Sequence, residues 1–231
     1  MTLHPMLPAT LAQFADVLDY PQPGLADKSR QCAQNVARMA LPPFEAGSRQ
    51  LPPDALLSAF AYEVEPMSYG LQEEAYASTF DLGGAYPYVG YQLLGETYKR
   101  SIFMLELKNR YRAHGLDEGD ELSDHLVCIL RYMRVLQDEE EFRELTQYAI
   151  LPALDKVLSA SRMRDEDDQS ALPLYLAVLQ ALYDVLVTTI GEPLVKAANW
   201  EEDHARTQQE AMQEIQLVYD ADEFEMHGCR S

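Results

Sequence analysis

Basic residues are scarce in this chain: 18 Lys and Arg stand against 38 Asp and Glu, for a formal charge of −20 over 231 residues. Nucleic acid as the principal partner is thereby excluded, because phosphate backbones require clustered Lys and Arg. Cysteine is also sparse. Cys32, Cys128 and Cys229 are odd in number, widely spaced and form no CxxC pair, which fits a reducing compartment and no disulfide framework. No HExxH, Gly-rich phosphate loop, GxSxG or EF-hand loop occurs. The opening residues Met1 to Pro8 lack a basic stretch followed by an apolar one, so no export signal is read and a cytoplasmic location is expected.

Strand signals are missing as well: no region alternates apolar and polar residues between hairpin turns. Helical periodicity dominates instead, and the apolar content of 47% is ample for a packed core. Proline and glycine punctuation predicts helices over Leu7–Leu18, from about Leu25 to Ala40, from Pro52-Pro53-Asp54 to near Pro66, and a fourth that Gly70 precedes, reaching about Phe80. A further helix is expected over Thr97 to Ala113, closed by His114-Gly115. The next is capped by Ser123 or Asp124 and buries Leu126, Ile129, Leu130, Met133 and Leu136. Asp138-Glu-Glu-Glu141 opens another, bent by Pro152, and an acidic linker over 162 to 169 leads onward.

Residues 171 to 191 are nearly uncharged and about as long as a membrane span. Gln180, Asp184 and Thr188 nevertheless form a polar stripe opposite Leu172, Leu176, Leu179, Tyr183, Leu186 and Ile190. The run 165 to 168 supplies no basic anchor. A buried bundle helix is expected and no stable membrane insertion. From Trp200 to Glu225 acids dominate, and Arg206 is the only base. The domain reading is one all-α helical domain over 1–199 and an acidic tail over 200–231, partly helical or disordered.

Two stretches carry the remaining information. From Asp81 to Gly95 the helical pattern breaks into a segment rich in glycine and tyrosine, including Tyr86, Tyr88 and Tyr91. It is too aromatic for a solvated linker, and it packs either as fixed scaffold or as an adaptable gate. The second stretch is Glu121-Leu-Ser-Asp-His125, which places two acids, a hydroxyl and an imidazole within five residues. In one reading Asp124 caps a helix and His125 bonds a neighbouring loop; in the other they floor a peptide groove. Glu96 and Arg100 form an i, i+4 pair, unless Arg100 turns inward to Glu121 or Asp124. Cys128, one turn after His125, reads as a buried inert thiol. Glu201-x-x-His204 is half of a di-iron bundle motif whose second half is missing.

In order along the chain stand Tyr76-x-x-Thr79-Phe80-Asp81, the aromatic segment, Gly95-Glu96-x-x-x-Arg100, Leu105-x-Leu107-x-x-Arg110-Tyr111, Gly115 and Glu121-Leu122-x-Asp124-His125-Leu126. Together with Phe14-Ala-x-x-Leu18-x-Tyr20-Pro21 they resemble the NarJ/TorD family of maturation chaperones for molybdenum oxidoreductases, in its nitrate reductase delta-like branch, chiefly over 76–136, less over the first helix, and after 140 mainly in helical pattern. One departure is Ser123, where the family usually has proline.

The resemblance implies an all-helical fold of the TorD-like type, no catalysis and no cofactor or metal. It implies binding of the N-terminal segment, a twin-arginine signal or its remnant, of a molybdopterin-dependent catalytic subunit before cofactor insertion and assembly. The chaperone itself would be a monomer or a domain-swapped dimer. Candidate peptide-binding residues carried over by position are Glu121, Asp124 and His125, with Glu96 and Arg100 nearby. Tyr88 and Tyr91 of the aromatic segment and Asp184 of the polar stripe complete the set. The competing reading is a small metal-binding or metal-dependent helical enzyme using Asp124, His125, Glu201 and His204.

Overall fold

A computed structural model describes residues 2–42, 51–82, 85–116, 119, 121–167 and 173–197, all within the compact unit Met1–Ala197. The expected tail over 200–231 and the Glu201/His204 pair lie outside the described residues. Among those residues the architecture is all-α, and the one bridge joins Tyr88 to His125 in antiparallel fashion.

The first helices follow their apolar periods. Helix α1 (Leu7–Leu18) buries Leu7, Leu11, Phe14 and Leu18, and ends at Asp19, whose backbone is extended (ψ 163°) two residues before Pro21. Helix α2 (Leu25–Arg38) starts from Gly24 in the left-handed region, φ 84°, a conformation that favours glycine. Ser29 on its inner face donates to the Leu57 carbonyl at 2.8 Å and so ties α2 to α3 (Pro53–Val64). In α4 (Tyr69–Phe80) the cap is Ser68, whose hydroxyl accepts from the Leu71 amide. Gly70 therefore lies inside this helix instead of ahead of it.

Tyr76 and Phe80 of α4 meet Phe60 and Tyr175 in an aromatic hub with centroid distances of 4.7–5.4 Å. Such edge-to-face contacts contribute roughly 0.5–1.5 kcal/mol each beyond area burial. The Tyr175 hydroxyl in this hub is buried without a hydrogen-bond partner.

Residues 81–95 do not form one loop throughout. A six-residue helix, α5 (Val89–Leu94), occupies the second half of the segment. Helices α6 (Tyr98–Ala113) and α7 (Leu126–Val135) follow. Asp138 caps α8 (Glu139–Leu145) by accepting from the Glu140 and Glu141 amides.

A π turn over Thr146–Ile150 joins α8 to α9 (Leu151–Asp167), the Leu151 amide reaching the Thr146 carbonyl. Pro152 thus leaves its mark as a widened turn, which makes room for a ring that crowds the carbonyl four residues before it. Helix α9 also runs through Asp167, so residues 162–167 are helical where a linker is expected.

Helix α10 (Leu176–Ile190) has 15 residues. Among the described residues no helix is long and apolar enough to cross a membrane. Of the expected face Leu176, Leu179 and Leu186 are buried and Tyr183 and Ile190 partly so, and Val178, Ala181, Leu182 and Val185 are fully buried as well. The buried face is wider than expected because α3, α9 and α1 surround this helix.

Candidate functional site: an arginine–aspartate pair beneath the aromatic segment

The 121–126 segment is fixed along its length from α6. Tyr111 donates its hydroxyl to the Ser123 carbonyl at 2.7 Å, and Ser123 donates its own hydroxyl to the Met104 carbonyl at 2.7 Å. Where the family's usual proline would stiffen this position through its ring, Ser123 holds it by a hydrogen bond.

The aromatic segment is laced to the same stretch by main-chain bonds. The Val89 amide donates to the Asp124 carbonyl at 2.8 Å, and the Leu126 amide to the Pro87 carbonyl at 2.7 Å. These two bonds join residues 87–89 to the start of α7 in this structure.

Arg100 turns inward to Asp124. Its Nε lies 2.8 Å from Asp124 Oδ2 and its Nη2 3.3 Å from Oδ1, a two-pronged contact. A third bond joins Arg100 Nη1 to Glu96, so the expected i, i+4 pair and the inward pair coexist. The Tyr88 and Tyr91 rings each stand 5.5 Å from the guanidinium carbon, within cation–π range. Burial opposes the arginine charge, and the Asp124 and Glu96 carboxylates more than offset it, raising its pKa above the ordinary value. Asp124 is 0% exposed, so the pair is closed to water.

Gly90 is the residue that permits this closeness. A Cβ there would lie 2.6 Å from Asp124 Oδ2, 3.0 Å from Phe103 and 3.3 Å from Arg100. The sequence presents Gly90 as punctuation; inside α5 it is the point where backbone meets a buried carboxylate.

The cap of α7 differs from expectation. Asp124 is committed to Arg100 and Ser123 to Met104, and His125 caps instead, its Nδ1 accepting from the Val127 amide at 3.2 Å. The imidazole is buried edge-on to the Tyr88 ring at 5.3 Å. Burial lowers its pKa, against the opposing pull of Glu121, Asp19 and Asp124. A neutral ring that accepts at Nδ1 carries its proton on Nε2.

The predicted site residues therefore divide by depth. Arg100, Asp124 and His125 are buried, Tyr88 and Tyr91 are half-buried, and Glu96 and Glu121 are exposed. Asp184 lies elsewhere, within the stripe of α10. There its Oδ1 accepts from Gln180 at 2.8 Å and its carbonyl from Thr188 at 2.6 Å. Cys128 is a buried cysteine outside any disulfide.

Among the described residues no three His, Cys, Asp or Glu side chains are grouped to hold a metal ion. Asp124 and His125, two members of the competing metal reading, are engaged by Arg100 and by the Val127 amide.

No curated protein matches the chain. Residues 54–163 match the family model described as nitrate reductase delta subunit. That stretch contains Glu96, Arg100, Tyr111, Ser123, Asp124 and His125, the side chains that build the buried cluster. This match covers just under half of the chain and supports its kinship with the nitrate reductase delta subunit family, which is known for chaperones of molybdoenzyme maturation.

Proposed function

We propose that this protein binds the N-terminal segment, a twin-arginine signal or its remnant, of a molybdopterin-dependent catalytic subunit and holds it until cofactor insertion and assembly. The observation that carries the reading is the family match over the stretch that assembles the Arg100–Asp124 cluster. The charge of −20 supports it, because an acidic surface steers a basic peptide toward the chain.

Within this reading the site residues have two tasks. Glu96, Glu121, Tyr88 and Tyr91 are accessible and would contact the peptide. Arg100, Asp124 and His125 would position them from below, and Asp184 would act through the α10 stripe.

Isothermal calorimetry with the N-terminal peptide of the host's molybdoenzyme catalytic subunit tests the reading. Binding is expected to weaken as salt rises and to show a negative ΔCp from the peptide's apolar part. No binding at low salt by the N-terminus of any candidate client contradicts it. Copurification from the native host provides the second arm, with a large molybdoenzyme subunit as the expected prey.

A further inference from the structure

Helix α6 is apolar on both sides. Its inner side is accounted for by Arg100, Leu107 and Tyr111, all buried. On the opposite side Tyr98, Ile102 and Leu105 recur at spacings of four and three residues, the period of a face meant for burial. Yet they are 80%, 52% and 58% exposed. Helix α2 differs, turning Asp27, Gln31, Gln34 and Arg38 outward.

The stripe is flanked by a recess of about 290 Å³ lined by Met104, Leu105, Lys108, Glu121 and Leu122, among others. Leu122 is itself exposed at the recess mouth. Charged side chains of both signs stand beside this surface: Glu96, Glu106 and Glu121 are exposed, as are Lys99 and Arg112, Lys108 lines the recess, and Glu96 and Glu106 are paired with Arg100 and Arg110.

We infer that the outer face of α6, with the Leu105–Leu122 recess, is the apolar anchor site for the client's N-terminal segment, received as an amphipathic helix. This rests on the function proposed above and adds a location to it. The chain's charge selects the occupant: a second copy would bring another −20 to the contact, whereas a basic, apolar segment is attracted. The apolar spacing on α6 matches helix-on-helix recognition, in which anchors at i, i+4 and i+7 fill complementary positions. The buried motif then acts as the clamp that holds α6 and Glu121 in place. Asp124 and His125 are positioning residues here, without contact to the peptide.

The test uses the full-length protein and a fluorescein-labelled synthetic peptide covering the client's N-terminus. The variant Ile102→Glu with Leu105→Glu is compared with a control pair, Tyr62→Glu with Leu71→Glu, exposed apolar residues on α3 and α4. Both pairs change the net charge equally, so long-range steering is matched and local contact is isolated.

The α6 pair is expected to bind roughly tenfold or more weakly, chiefly through faster dissociation, with unchanged helicity and thermal midpoint. The control pair should stay within about twofold of the parent protein. Parent-level affinity in the α6 pair would overturn the site while leaving the functional reading intact. Absence of binding by the parent protein itself would overturn both. Loss of a concentration-dependent dimer with unchanged peptide affinity would assign the face to a second copy and overturn the inference.

Discussion

Two arginines ten residues apart on α6 make the same kind of contact in opposite surroundings. The Arg100 side chain is 8% exposed and that of its partner Asp124 is 0% exposed. Arg110 reaches Glu141 at 2.5 Å and Glu106 at 3.0 Å, but its side chain is 40% exposed and that of Glu141 24%. In the first pair both charges have left water, and removing one strands the other. In the second, water takes over whatever the partner releases. Arg100 therefore clamps its end of α6 by a pair closed to water, while Arg110 adds a half-exposed contact, through Glu141 and the Tyr132 hydroxyl, to an end that Leu107 and Tyr111 already bury. A helix held by an internal clamp is free to keep its outer side for a partner.

The comparison breaks most sharply at Asp124. Replacement by alanine leaves the Arg100 guanidinium buried beside only Glu96, and such a loss costs about 3–5 kcal/mol. A urea midpoint barely shifted by Asp124→Ala would show that the clamp is not closed to water. This cost exceeds that of the cap removal the sequence suggests for Asp124, which is about 1 kcal/mol.

Gly90→Ala comes next, because a methyl 2.6 Å from the Asp124 oxygen must displace the carboxylate or α5. Overpacking of this kind costs about 1–3 kcal/mol. In an Asp124→Ala background the same substitution should cost less, as the double-mutant cycle would read directly. Strict additivity would mean that Gly90 and Asp124 act independently.

His125→Ala removes the α7 cap and is expected to cost about 1 kcal/mol at neutral pH. Its pH dependence has a definite sign. Burial lowers the folded-state pKa of His125, so the unfolded chain binds this proton more readily. The associated stability is present above the ordinary histidine pKa, about 6.5, and is lost as pH falls through it toward the lower folded value. Between pH 7 and 5.5 the parent protein should therefore lose more stability than His125→Asn, which caps without titrating. Parallel slopes would contradict the assignment.

Arg110→Ala stands last. Half-exposed pairs contribute roughly 0–1 kcal/mol, so its urea midpoint should shift far less than that of Asp124→Ala.

Much of the fold is legible in the sequence because local rules decide it. The bounds of α1 follow from its apolar period and from Pro21, and the acids of α8 from the favourable charge at a helix start. The all-α architecture follows from helical pattern, and the family resemblance, which the match over 54–163 supports, from ordered motifs. What misleads is each place where a distant contact overrides a local preference. Ser123 and Asp124 are ordinary caps by residue type, yet Met104 and Arg100, 19 and 24 residues away, claim their side chains. His125 inherits the cap because its ring is the acceptor that remains. Gly90 marks a break by residue type and is helical because α5 packs on Asp124. The acids after Arg164 read as linker, but α9 continues through them to Asp167. The exposed stripe of α6 was written in the sequence as ordinary periodicity. Only the burial of Leu107 and Tyr111 on the other side reveals that it faces outward.

The chain contains five isoleucines, at positions 102, 129, 150, 190 and 215, which makes a methyl-labelled NMR titration the most direct measurement of where a client segment docks. Ile102 is exposed on the outer face of α6, while Ile129 and Ile150 are buried in the core. Addition of the client's N-terminal peptide is expected to shift and broaden the Ile102 methyl, leaving those of Ile129 and Ile150 in place. An unmoved Ile102 in the presence of saturating, bound peptide would contradict the account.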